Sequence, residues 1–415
     1  MSRKELNIST KLLHGVWASE IDAGAMVTPI YQNSAFAYDS AEAIEAVFAG
    51  RQAGYVYSRM GNPTLTQLER SLTALEDGLG AISTSSGMAA ITSTVLALAE
   101  SGDEIVSGNS IFGGTYSLLH STLARSGIKT TFVESTDVQA FRNAITDRTK
   151  LVFIETIGNP KLDVPDFFAI TEVAHEKGVA LVADNTITPS LFQPKKAGAD
   201  IVIHSTTKFI NGHGNAIGGA IIDTGIFDWA GKRYRHLDNI RKRTGNFAFL
   251  AFLRNQIHRD MGTCQAPFNA FLTSIGIESL ALRMERHSLN AMKVASFLAS
   301  DKRIVEVRYP GLETHPDHKV ADKQFENGYG ALLTLRLRDR GSCFKFINSL
   351  KRAQNAANIG DVRTLVIHPA STFCRELTGE ERLAVGASDN LIRFSIGIEH
   401  ADDIISDIDE SLSNI

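Results

Sequence analysis

The sequence predicts an α/β protein: a largely parallel sheet covered on both faces by helices, joined to a smaller α+β portion. Three observations carry this. Between about 60 and 255, segments with helical apolar spacing alternate with short β-branched runs. Those runs are mostly continuous in apolar character rather than alternating, as strands buried on both faces are. Beyond about 260 the texture changes to one long helical stretch with scattered strands, the pattern of a separate layer architecture.

Taken in order, residues 1–58 read as an extended N-terminal arm, in which Gly15, Gly24, Pro29, Gly50 and Gly54 interrupt short apolar stretches. One helix is expected at SAEAIEAVFAG (40–50), capped by Ser40 and stopped by Gly50. Such an arm has little core of its own and is expected to pack on something else, another subunit being the natural choice.

The α/β domain is expected over 59–258. Thr64 to Leu75 has helical spacing, and Ser86-Gly87-Met88 starts a second helix running to Leu98. DEIVSG (103–108), KTTFVE (129–134), KLVFIET (150–156), VALVADN (179–185), DIVIHST (200–206) and GGAIID (218–223) read as strands. FFAITEVAHEKG (167–178) is a helix stopped by glycine. The C-terminal α+β domain, 259–415, holds a long helix at 278–300, strands at IVEVRYPG (304–311), ALLTLRLRD (331–339) and LIRFSIGIE (391–399), and a helix at CFKFINSL (343–350).

Composition narrows the function. With 415 residues the chain is long for one core, and 43% hydrophobic and 21% charged residues describe a globular protein. A net charge of −4 gives no polyanion signature, so nucleic acid is not an expected partner. Three scattered cysteines fit a reducing compartment rather than a disulfide framework or zinc site. The start lacks a secretory apolar core and no run is long enough for a membrane span, which makes the cytoplasm the expected location.

Chemistry concentrates at strand ends, where open α/β sheets bind ligands. VALVADNT ends in Asp184, IVIHSTTK in Ser205, Thr207 and Lys208, and KLVFIET leads to Asn159. STSSGMAA (83–90) places small residues at a helix start, where free N–H groups favour an anion. Together these offer one amine, one carboxylate and an anion cradle, the set pyridoxal phosphate requires: a lysine to hold its aldehyde, an acid opposite its ring nitrogen and donors for its phosphate. His204 and His213 bracket Lys208 without a third ligand, so no metal site is expected. Cys374 reads as a packed thiol, and GNAIGG does not match a dinucleotide loop.

YSRMGNPT (57–64), SSGMAA (85–90), ADNT (183–186), HSTTKFINGHG (204–214), HPAST (368–372) and LIRFSIGIE (391–399), in this order over nearly the whole chain, resemble the Cys/Met-metabolism family of fold-type I pyridoxal-phosphate enzymes, which have the aspartate-aminotransferase-like fold. Within it, GHGNAIGGAIIDTGIFDW (212–229), APFNAFL (266–272), LRMERHS (282–288) and AANIGDVRTLVIHPAST (356–372) are most similar to the O-acetylhomoserine sulfhydrylases. The resemblance implies Lys208 as the catalytic, cofactor-bearing lysine and Asp184 as the partner of the ring nitrogen. It implies phosphate contacts from Gly87, Met88, Ser205 and Thr207, and from Tyr57 and Arg59 of a neighbouring subunit. Asn159 would reach the ring hydroxyl, while Arg393, with Ser371 beside it, would bind the substrate carboxylate. It further implies γ-replacement of acetate by sulfide or a protein-delivered sulfur, giving homocysteine for methionine biosynthesis, in a homotetramer of catalytic dimers.

Two positions leave the family pattern. Phe112 stands where relatives place a tyrosine over the cofactor ring, and Phe373-Cys374 where Thr-His is common. Stacking survives the first change, but a hydroxyl is gone. The alternatives are a γ-lyase, a cystathionine γ-synthase and a non-catalytic protein that kept the fold. Lys208, Asp184 and Arg393 are all present, which argues against the last.

Overall fold

A computed structural model describes residues 6–14 and 25–415; Gly15 and Gly24, expected breaks in the arm, lie outside the described residues. Its centre is a seven-stranded sheet: β1 (Gly80–Thr84), β2 (Glu104–Gly108), β3 (Lys129–Val133), β4 (Thr149–Glu155), β5 (Ala180–Asp184), β6 (Ile201–His204) and β7 (Gly219–Asp223), in spatial order β1-β7-β6-β5-β4-β2-β3. Five neighbouring strands are parallel, and β7 runs antiparallel to both β6 and β1. The sequence reading missed β1. GAIST is short, polar at its end and glycine-led, and only pairing with β7 makes it a strand.

The continuous apolar runs divide between two cores. Along β4, Val152 and Ile154 join one cluster while Leu151 and Phe153 join the other. In β5, Leu181 and Ala183 oppose Ala180 and Val182 in the same way. Both faces therefore need a helical cover. The helices α1 (Ile8–His14), α2 (Ala41–Phe48), α3 (Pro63–Leu75) and α4 (Gly87–Leu98) come first in the chain. Ser40, Asn62 and Ser86 cap α2, α3 and α4 by accepting main-chain N–H bonds.

The arm departs from expectation in one respect. Its first helix, α1, was not foreseen, and Leu12 is buried in the chain's own core. Seven residues carry too short a pattern to read, and the helix forms where it packs on α3 and on the helices Pro267–Glu278 and Leu280–Ser300.

The second sheet is β8 (Glu306–Arg308), β9 (Leu332–Arg336), β10 (Gln354–Asn355), β11 (Leu365–Ile367) and β12 (Leu391–Ser395), in order β10-β11-β12-β9-β8. Its core includes Leu333, Phe346, Phe394 and Ile408. The helix Leu280–Ser300 joins the lobes, since Met284 packs in the first core and Val294 and Leu298 in the third. Arg393 of β12 shares a cavity with Glu155 and Asp184, which end β4 and β5, and with Ser205, which follows β6.

Candidate active site

Lys208 follows β6 in a turn, with its N–H on Ser205 O at 3.2 Å. Buried Arg283 secures the chain beyond it by donating to the carbonyls of Phe209 (2.6 Å) and Ile210 (3.1 Å). The Lys208 ammonium donates to Asn358 Oδ1 at 2.6 Å. Asn358 reaches it because Gly360, at φ +72°, lets its loop press on Phe209; an added Cβ would lie 2.5 Å from Phe209 N. Burial, aided by the Arg393 charge, brings the Lys208 pKa down to about 8.

Asp184 ends β5. Its Oδ1 accepts from Thr186 N at 3.0 Å and from Thr186 Oγ1 at 2.5 Å. Burial raises its pKa, while the Thr186 bonds and the His204 charge oppose the rise. In-register on β4 stands a second carboxyl, Glu155, which accepts from Phe112 N at 2.6 Å.

At the start of α4, the first N–H groups, on Gly87 and Met88, have no intrahelical acceptor. Glycine is needed here, because a Cβ on Gly87 would lie 2.7 Å from Ser205 Cβ. Thr207 Oγ1 donates to Gly218 O at 3.1 Å and accepts from Gly218 N at 3.0 Å, which ties the glycine turn to the lysine.

Arg393, on β12, is 4% exposed. Its Nη1 donates to Asn159 Oδ1 and its Nη2 to Asn358 O, each at 3.1 Å, while Nε is buried without a partner. The Phe373 ring lies 4.9 Å from its guanidinium carbon. A buried cation with an N–H to spare on each of Nη1 and Nη2 is built for an anion.

These groups share one cavity of about 490 Å³, lined also by Phe112, Ile187, Ile217 and Ile359. It collects Gly87, Met88, Phe112, Asn159, Asp184, Ser205, Thr207, Lys208 and Arg393 from the expected set. Tyr57, Arg59 and Ser371 are not among its lining residues. Tyr57 is 44% exposed with Arg59 stacked over it, and Arg59 donates to Arg259 O. Ser371 is held by His368, whose Nδ1 lies 2.9 Å from Ser371 Oγ and whose Nε2 lies 2.8 Å from Asp389 O. Cys374 is buried with its thiol pushed up to about 11, an inert packed cysteine.

Sequence reasoning missed Glu155, Asn358, Arg283 and His368. Glu155 had a signal, since it ends a strand as Asp184 does. Asn358 and Arg283 come from distant loops and helices, and nothing local marks them. Among the described residues no group of three or more His, Cys, Asp or Glu could hold a metal. The set suits pyridoxal phosphate: a neutralisable amine, a half-buried carboxylate and unpartnered N–H groups at a helix start, with glycine where the cradle is tightest.

Comparison with known proteins agrees. The family described as Cys/Met metabolism PLP-dependent enzyme matches residues 9–413. The chain is 41% identical to O-acetyl-L-homoserine sulfhydrylase of Leptospira meyeri, over 98% of this chain and 96% of that protein. It is 42% identical to homocysteine synthase of Schizosaccharomyces pombe, over 98% of each. A crystal structure of a putative O-acetylhomoserine (thiol)-lyase of Campylobacter jejuni, containing N′-pyridoxyl-lysine-5′-monophosphate, superposes with a TM-score of 0.94 at 33% identity, covering 98% of this chain and 100% of that one.

Proposed function

We propose, for a chain that belongs to the Cys/Met metabolism PLP-dependent enzyme family, that its reaction is γ-replacement on O-acetylhomoserine. The Cγ–O bond breaks, acetate leaves with the electron pair, and sulfide or a protein-delivered sulfur forms the Cγ–S bond of homocysteine. Bound in the cavity, pyridoxal phosphate supplies an electron sink that makes the substrate Cα–H acidic. Lys208 would hold it covalently, Asp184 would face its ring nitrogen and Asn159 its ring hydroxyl. Gly87, Met88, Ser205 and Thr207 would take its phosphate.

The observation that carries the assignment is the buried guanidinium of Arg393, which lines the same cavity as Lys208. Nη1 and Nη2 each make one bond and keep one N–H, and that pair would take an α-carboxylate and aim Cα at the Lys208 amine. That amine, once free, removes the Cα proton and then serves Cβ. Among the described residues Lys208 and Arg393 are the only basic ones of the lining, which leaves no further cation there for a second substrate carboxylate or a substrate phosphate. An uncharged acetyl ester suits the remaining wall of Ile187, Ile217, Ile359 and Phe373. Ser371 would act from beside Arg393.

The protein is further taken to be a cytoplasmic homotetramer of catalytic dimers. Support comes from Tyr57 and Arg59, which this chain's own cavity does not use and which would complete a neighbour's phosphate site. Mixing Tyr57→Phe/Arg59→Ala subunits with Lys208→Ala subunits should restore activity in hybrids; a fully active monomer in sedimentation would refute it.

The deciding assay feeds O-acetylhomoserine with and without sulfide. Homocysteine and acetate in equal amounts with sulfide are expected. α-Ketobutyrate as the main product under both conditions would make the enzyme a γ-lyase instead. Homocysteine replaced by cystathionine when cysteine is offered would favour a cystathionine synthase.

A further inference from the structure

Glu155 and Asp184 end adjacent parallel strands as register partners, so their side chains leave the sheet on the same side and both line the cavity. They are supported unequally. Asp184 accepts two bonds at one oxygen, both from Thr186. Glu155 accepts one, from Phe112 N, and among the described residues its Oε2 has no partner. The charges acting on Glu155 are those of Asp184 on β5 and Asp163 beyond β4, both negative, and Asp163 is itself paired with Lys161 at 3.2 Å. His204 on β6 acts on Asp184, and the remaining charges of the lining are Lys208 and Arg393.

We propose that Glu155 is a positioning residue that works as a neutral acid: it keeps its proton, leaves Asp184 the only ionised carboxylate of the cavity, and fixes the Phe112 main chain so that the ring covers the site. Two carboxylates on neighbouring strands in a buried site cannot both ionise cheaply. The proton goes to the one with fewer donors. Burial and the Asp184 charge together hold the Glu155 carboxyl well above the usual range. A protonated Glu155 still accepts from Phe112 N through Oε1, which leaves the O–H on Oε2, the oxygen without a protein partner among the described residues. An ionised Glu155 would instead add a second negative charge to the cavity that Lys208 lines and favour the protonated form of whatever the lysine forms there.

The proposal rests on the cavity binding pyridoxal phosphate, and the test separates the two. Glu155→Gln keeps a neutral acceptor for Phe112, whereas Glu155→Ala removes it. Three readouts apply: affinity of the apoprotein for pyridoxal phosphate, the pH midpoint of the visible band of the loaded enzyme, and infrared difference spectra of wild type against Glu155→Gln. Glu155→Gln should bind the cofactor within about threefold of wild type and leave the midpoint in place, and Glu155→Ala should bind about tenfold or more weakly. The infrared difference should show loss of a protonated carboxyl band. A midpoint lowered by about one pH unit in Glu155→Gln, or loss of a carboxylate band in its place, would overturn the proposal by showing a charged Glu155. If wild type shows no visible band with pyridoxal phosphate, the cofactor reading fails; the infrared difference on the apoprotein still decides the protonation of Glu155.

Discussion

Lys208 Nζ donates to Asn358 Oδ1 at 2.6 Å, a bond between residues 150 apart in sequence. The same Asn358 takes Arg393 Nη2 on its main-chain oxygen at 3.1 Å. One residue thus holds the amine and the carboxylate-binding cation in a fixed relation. Asn358→Ala removes the side-chain bond to Lys208 and keeps the main-chain acceptor of Arg393, so it should lower kcat/KM by about 10- to 100-fold through the lysine alone if that bond contributes about 1.5–3 kcal/mol. Unchanged kcat/KM would show that Lys208 is positioned by its turn alone.

The depressed Lys208 pKa has a kinetic consequence. The neutral amine is the nucleophile, so its reactive fraction should rise through about pH 8 rather than near the ordinary lysine value. The rate of pyridoxal-phosphate incorporation into apoprotein, trapped by borohydride, should have its midpoint there. Asn358→Asp, by adding a carboxylate at hydrogen-bond distance, favours the ammonium form and should move the midpoint to higher pH. A wild-type midpoint above 10 would contradict the burial of this amine.

Phe112 lines the cavity and offers a ring without a hydroxyl. General acid assistance is typically worth about 10²–10⁴-fold, and acetate needs little of it because it leaves as a stable anion. A thiolate leaving from Cγ needs more. The enzyme should therefore turn over O-acetylhomoserine but cleave cystathionine or methionine poorly. Phe112→Tyr should raise kcat/KM for thioethers more than for O-acetylhomoserine. Efficient thioether cleavage by the unmodified enzyme would mean that another group supplies the proton.

Away from the site, Asp223 ends β7 with Oδ2 buried and unpartnered, and burial lifts its pKa to about 7. An unfolded aspartate titrates near about 4. Between these values the folded chain keeps a proton the unfolded chain has lost, so this group's contribution to stability falls as pH rises through the window and stays low above it. Asp223→Asn, which can still accept from Gly225 N, should stabilise the protein at pH 8 by on the order of 1–3 kcal/mol. The gain should shrink toward pH 5 in urea titrations. An equal gain at both pH values would exclude the titration of Asp223 as its source.

The sequence by itself determined the strands β2 to β7, the helices α2 to α4, and the family to which the chain belongs. Continuous β-branched runs can only be two-sided strands, as Val152 and Phe153 show by entering different cores. Lys208, Asp184 and Gly87 were legible because each sits at a strand end or helix start, positions that sequence marks locally. Tertiary structure alone decided what surrounds them. GAIST becomes a strand against β7, and α1 a helix against α3 and the helices Pro267–Glu278 and Leu280–Ser300, because short segments take their form from their neighbours. Asn358 meets Lys208, Arg283 clamps the chain after it, and Glu155 stands beside Asp184. Those contacts join residues from different strands, helices and loops, and no spacing along one chain encodes a distance between two of them. The balance of charge in the cavity is likewise a property of burial, which holds the Glu155 carboxyl to its proton and lowers the pH at which the Lys208 amine gives one up.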